Sequence, residues 1–114
     1  MQLGVIESRF ADIIWQSTPA RSAELAKRAF EEFGWKKTTS YTVLRRLCDK
    51  GIFKNEGGTV TALISRDEFY SRQSEQFIEE NFGGSLPAFL AAFTANKKLS
   101  RDEVKELLSI IEDN

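Results

Sequence analysis

Three side chains near the middle of this 114-residue chain have the spacing and chemistry to grip a polyanion. In the stretch from Trp35 to Gly51, WKKTTSYTVLRRLCDKG, Thr39, Thr42 and Arg46 fall at i, i+3 and i+7. Read as a helix, they form one stripe. Val43, Leu44 and Leu47 fall at i, i+1 and i+4 and make a second, apolar stripe. Threonine hydroxyls can bond phosphate oxygens, the threonine methyl can meet a thymine methyl, and a guanidinium can reach a phosphate or a guanine edge. Lys36, Lys37 and Thr38 at the start, and Arg45 beside Arg46, extend this front. Such a helix can lie in a DNA major groove with its apolar back against a core. Thr38 or Thr39 is expected to cap its start, and Gly51 to end it in a left-handed conformation. On spacing alone, an ordinary solvated face remains the competing reading.

Other chemistries have little to work with. The chain has no histidine, and Cys48 is its one cysteine. That removes an intrachain disulfide and the ordinary Cys/His zinc site. It also removes the usual general base and the Ser-His and Cys-His nucleophile pairs. No acidic pair stands out from the surface charges. The expectation is a protein that is not an enzyme and that uses no metal or cofactor. Cys48, beside the apolar stripe, reads as a small buried hydrophobe.

The formal net charge of -1 hides an asymmetry. Residues 1–60 hold 10 Lys and Arg against 7 Asp and Glu, whereas residues 61–114 hold 6 against 10. Between 36 and 54 the cations Lys36, Lys37, Arg45, Arg46, Lys50 and Lys54 face only Asp49. A local basic patch on a nearly neutral chain suits a polyanion. No apolar run approaches the roughly 20 residues that span a bilayer, and MQLGVIESRF lacks the pattern of a signal peptide. The expected setting is the cytoplasm, with no membrane insertion.

The elements that must hold the basic helix follow from periodicity. Residues 5–17 read as a helix with Ile6, Phe10, Ile13 and Ile14 on one face, closed by Thr18-Pro19. Ser22 reads as the cap of a second helix, with Leu25, Ala26, Ala29, Phe30 and Phe33 as its apolar face and Gly34 as its end. Only Trp35 to Lys37 separate it from Thr38, so residues 22–51 read as a helix–turn–helix. Beyond Gly51, residues 52–54 and 59–64 are β-favouring runs around Asn55-Glu56-Gly57-Gly58, a hairpin. Phe53, Val60 and either Ala62 or Leu63 are its candidate contacts with the helices. Three helices and a hairpin make a winged helix.

Ser65 and Glu68 read as a capping box for a fourth helix running to Phe82 and ended by Gly83-Gly84. Its sparse apolar residues suggest an arm leaving the domain. Ser85 can cap a fifth helix with Pro87 in its first turn. Ser100 and Glu103 make another capping box for a sixth. The expected dimerisation residues of this region are Phe77, Leu86, Phe89, Leu90 and Phe93, then Val104, Leu107, Leu108 and Ile111. Residues 66–114 are too few to build a core of their own. Either these side chains fold back on the first domain or they pair with a second copy. A long arm ending in two amphipathic helices favours pairing, which would bury these faces and present two recognition helices at once. The expected fold is mainly α with a small β-hairpin (α+β): a winged helix-turn-helix domain over 1–65 and a three-helix dimerisation arm over 66–114.

With these elements placed, the chain resembles the BlaI/MecI/CopY (penicillinase repressor) family of bacterial transcription regulators. The resemblance rests on LGVIESRFADIIW, GWKKTTSYTVLRRLCDKGIF, ALISRDEFY, FGGSLPAFLAAF and KLSRDEVKELLSIIE, in the family's order. It implies a homodimeric repressor on a dyad-symmetric, double-stranded DNA operator, with Thr38, Thr39, Thr42 and Arg46 facing DNA. It also implies release by proteolysis under a membrane sensor protease, as in the family's β-lactam systems. The family's usual cut, commonly Asn-Phe, aligns with Ala92-Phe93, where the phenylalanine is kept and the asparagine is not. The cysteine cluster of copper-responsive members is absent, as is the arginine often found near the wing tip, which leaves Lys54 as the wing's expected phosphate contact. The alternative function is a winged-helix protein–protein interaction module that binds an acidic partner and no DNA.

Overall fold

The computed structural model describes residues 3–114; Met1 and Gln2, the first residues of the expected winged-helix domain, lie outside the described residues. In chain order the elements are α1 (Val5–Ser17), β1 (Ala20–Arg21), α2 (Ser22–Phe33), α3 (Lys37–Asp49), β2 (Phe53–Glu56), β3 (Thr59–Ala62), α4 (Arg66–Phe82), α5 (Leu86–Thr94) and α6 (Arg101–Glu112). The architecture is the expected α+β winged helix followed by helices. The chain forms two compact units, one ending at Gln73 and the other running from Ser74 to Asn114.

The first unit closes around the apolar faces of α1, α2 and α3. Phe10, Ile14, Leu25, Ala29 and Leu47 are buried at its centre. The hairpin covers them from one side, with Phe53 and Val60 buried as the spacing predicts. Ala62 packs against this core and Leu63 faces out, which resolves the choice between them. Two expected core residues are also outside: Ile6 is 57% and Phe30 63% exposed. Ile6 lies in the first turn of α1, and Phe30 lies at the edge of the α2 stripe.

The sheet has a strand that the periodicity does not reveal. Its order is β1-β3-β2, with all pairs antiparallel. Ala20 pairs with Val60 and Arg21 with Thr59. A further bond, from Ser22 N–H to the Gly58 carbonyl at 2.8 Å, ties the hairpin turn to the first residue of α2. Ser22 is therefore inside the helix rather than its cap, and Arg21 holds the cap position without a side-chain bond.

The start of α3 also differs from expectation. Its cap is Lys36, without a side-chain bond, so neither Thr38 nor Thr39 caps it. Trp35 explains the shift. Its ring packs on Phe10 and Phe33, with centroids 5.4 and 5.0 Å away. That anchor fixes the chain just before the helix, which then starts at Lys37. The other end is as expected, with Gly51 left-handed at φ 79°.

The first turns of α4 belong to the winged-helix unit. Phe69 is buried in its core. Trp15 packs on Phe53, Phe69 and Tyr70, and its indole N–H donates to the Ile64 carbonyl at 2.9 Å. Arg66 binds Asp12 at 2.8 Å. Half of the expected capping box forms here: Glu68 N–H donates to Ser65 Oγ, while the Glu68 carboxylate binds Arg72.

In the second unit, Ser85 accepts from Ala88 N–H, and the Ser100–Glu103 box is complete in both directions. The Phe82 and Phe89 rings meet edge to face at 5.5 Å, with Phe77 and Phe93 beside Phe89. No residue from Ser74 to Asn114 is fully buried.

Candidate nucleic-acid interface

Helix α3 has the two faces that its spacing predicts. Val43, Leu44 and Leu47 are buried, joined by Ser40. Lys36, Lys37, Thr38, Thr39, Thr42, Arg45 and Arg46 are all exposed. The helix is thus clamped by its back and presents two arginines, two lysines and three threonines on the free side. Thr42 Oγ1 donates to the Thr38 carbonyl at 2.9 Å, so its proton is engaged and its oxygen can still accept. Tyr41 is half-buried against the core, and Lys37 Nζ stands 6.0 Å from its ring centroid.

The remaining cations of the basic stretch are committed elsewhere. Lys50 Nζ binds Glu7 of α1. That bond, opposed by burial, holds the Glu7 carboxyl below its usual range, with Arg46 adding a smaller attraction. Lys54 lies on β2, exposed, and binds Glu56 at 2.8 Å. The Lys54 ammonium lowers the Glu56 carboxyl in turn. The charge of Lys54 is thus balanced on its own strand. Burial pushes the Cys48 thiol up, in keeping with a packed, unreactive side chain.

A cation outside the predicted set sits at the wing. Arg21 of β1 donates through Nη1 to the Gly57 carbonyl at 3.3 Å and to Thr59 Oγ1 at 3.2 Å. A two-residue strand leaves no alternation to read, so no sequence signal marks Arg21 as a wing residue.

The second unit carries the residues expected to pair. Phe89, Leu90, Phe93, Leu99, Leu107 and Ile110 line an apolar groove of about 300 Å³ between α5 and α6. Phe77, Leu86, Val104, Leu108 and Ile111 lie exposed around it. Leu99 and Ile110 are groove residues that the heptad-like spacing misses. Ala92 and Phe93 are both exposed on α5.

Among the described residues there is no cluster of His, Cys, Asp or Glu able to hold a metal. No helix among them is long and apolar enough to cross a membrane.

A winged helix that offers an exposed, basic third helix defines the class of DNA-binding transcription regulators. The chain belongs to the penicillinase repressor family, whose model matches residues 3–113. It is similar to the penicillinase repressor of Bacillus licheniformis, 26% identical over 117 residues that cover 99% of this chain and 91% of that protein. It is also similar to the methicillin resistance regulatory protein MecI of Staphylococcus aureus strain Mu50, at 24% over 114 residues covering 96% and 93%. MecI of Mammaliicoccus sciuri matches at 23% over the same shares. By name the first is a repressor and the MecI proteins are regulators of methicillin resistance, and the family is one of repressors, not of enzymes.

Proposed function

We propose that this protein represses transcription as a homodimer, each copy laying α3 in the major groove of one half of a dyad-symmetric operator. The observation that carries this reading is the α3 front: Lys36, Lys37, Thr38, Thr39, Thr42, Arg45 and Arg46 exposed on one helix whose back is locked in the core. Arg46 supplies the guanidinium best placed for a base edge, and the lysines and threonines set the register on phosphates. Lys54 contributes from the wing only when DNA competes with Glu56. The names of the relatives, a penicillinase repressor and methicillin resistance regulators, point to control of a resistance gene.

The dimer reading rests on the apolar residues of α5 and α6. Leu86, Leu108, Ile110 and Ile111 are each at least half exposed. A contiguous apolar surface of this kind marks an interaction site, and a second copy covers the same face on both chains. Release follows from a cut at Ala92-Phe93 by a membrane sensor protease, which separates the two apolar helices.

The test is binding to duplex DNA enriched from a randomised pool by the full chain. Affinity is expected to fall steeply with salt through counterion release. Arg46→Ala is expected to weaken binding about tenfold, the lower part of the range for one base contact. Salt-independent binding, or capture of an acidic protein without any enriched duplex, overturns the reading in favour of a protein-interaction module.

A further inference from the structure

The wing hairpin carries no uncommitted cation of its own. Lys54, its single basic residue, is paired with Glu56 on the same strand. What the hairpin lacks is supplied by β1. The register of β1 against β3 sets Arg21 opposite Thr59. From there its side chain runs across the turn, where Nη1 bonds the Gly57 carbonyl and the Thr59 hydroxyl. The turn is shaped to receive it. A Cβ placed on Gly58 would lie 3.0 Å from Arg21 Nη2 and 3.3 Å from Cζ. Gly58 also has a φ of 89°, a conformation that side chains resist. The guanidinium therefore rests on a glycine turn and is fixed by two bonds from one nitrogen.

We propose that Arg21 is the phosphate contact of the wing, a DNA-binding residue delivered from β1 to the hairpin tip. This rests on the reading of the chain as a DNA-binding repressor. Three observations support it. Arg21 is exposed. Among the described residues it pairs with no carboxylate. Both of its bonds use Nη1, which leaves the Nε and Nη2 protons for an anion. Holding the fork in place beforehand removes much of the entropy that a long side chain loses on binding. A guanidinium so held matches two phosphate oxygens at once.

The experiment measures binding of the full chain to the enriched duplex across a salt series, for wild type, Arg21→Gln, Thr59→Val and Arg46→Ala. Arg21→Gln keeps a shorter polar side chain and removes the charge. It is expected to make the log–log salt slope shallower by about 0.9 per bound protomer and to weaken binding about five- to tenfold at ~0.1 M salt. Thr59→Val removes one brace and keeps the charge, so its slope is expected to match wild type. An unchanged slope in Arg21→Gln overturns the proposal, whether affinity is kept or lost, because bracing alone moves no counterions. If Arg46→Ala loses affinity while Arg21→Gln binds like wild type, this inference fails and the repressor reading stands. If wild type enriches no duplex, both fail.

Discussion

Lys50, the residue that follows α3, donates from Nζ to both carboxylate oxygens of Glu7, at 2.9 Å each. Glu7 Oε1 also accepts the backbone N–H of Gly4 at 3.1 Å. One carboxylate thus caps the start of α1 and ties it to the end of α3. The same bond takes Lys50 out of the basic front and leaves Arg45 and Arg46 as that end's exposed cations.

Glu7→Gln is expected to destabilise the protein by about 1–2 kcal/mol at neutral pH, between an exposed and a desolvated charged bond. The native carboxyl lies below its ordinary range. Its contribution is therefore complete above the ordinary glutamate range and is lost as pH falls through the depressed native value. Denaturant midpoints of wild type and Glu7→Gln should converge in acid. A gap that stays constant from neutral pH into acid would exclude an ionic origin.

Trp15→Phe keeps a ring against Phe53 and Phe69 but leaves the Ile64 carbonyl without its indole donor. A loss of about 1–3 kcal/mol is expected for one unpaired, partly buried acceptor plus reduced packing. Amide exchange should quicken first at the start of α4, around Phe69. Uniform quickening, with no excess there, would show that the bond does not anchor that helix.

Ser40 Oγ is buried on the core side of α3 and has no hydrogen-bond partner among the described residues. Ser40→Ala removes an unsatisfied hydroxyl and improves helix propensity. The expected result is a gain of about 0.5–1 kcal/mol, read as a higher melting temperature, with DNA affinity unchanged. A loss of stability would mean that the hydroxyl is satisfied by a bound water.

Ile110, 60% exposed beside the groove, tests the pairing of two copies. Sedimentation is expected to give a dimer for wild type and a monomer for Ile110→Glu at micromolar concentration, since a buried unpaired charge costs several kcal/mol. A wild-type monomer, or a variant that still dimerises, would remove α6 from the interface.

The main helices and the wing are legible in the sequence because periodicity and glycine punctuation agree there. The α3 stripe is the clearest case, since Thr39, Thr42 and Arg46 lie opposite Leu44 and Leu47 in both readings. What escapes is non-local. Strand β1 exists only because β3 pairs with it, and Arg21 acquires its place through that pairing. Lys36 becomes the α3 cap because Trp35 is held by Phe10, a residue 25 positions away. Lys50 and Lys54 read as members of one basic cluster, yet Glu7 and Glu56 divide them. The exposure of Phe30 is equally invisible to a helical wheel, which cannot show where a neighbouring element stops.

Phe69 closes the winged-helix core from α4, and every fully buried apolar side chain of the protein lies at or before it. A chain cut at the proposed Ala92-Phe93 site would therefore lose none of the buried side chains that hold α3 in place. Its grip on DNA would change through valency: two tethered contacts share a high effective concentration that a lone one lacks. Under the proposed release by proteolysis, the cut would leave behind an intact reader that no longer holds on, and new synthesis of whole chains would restore silence.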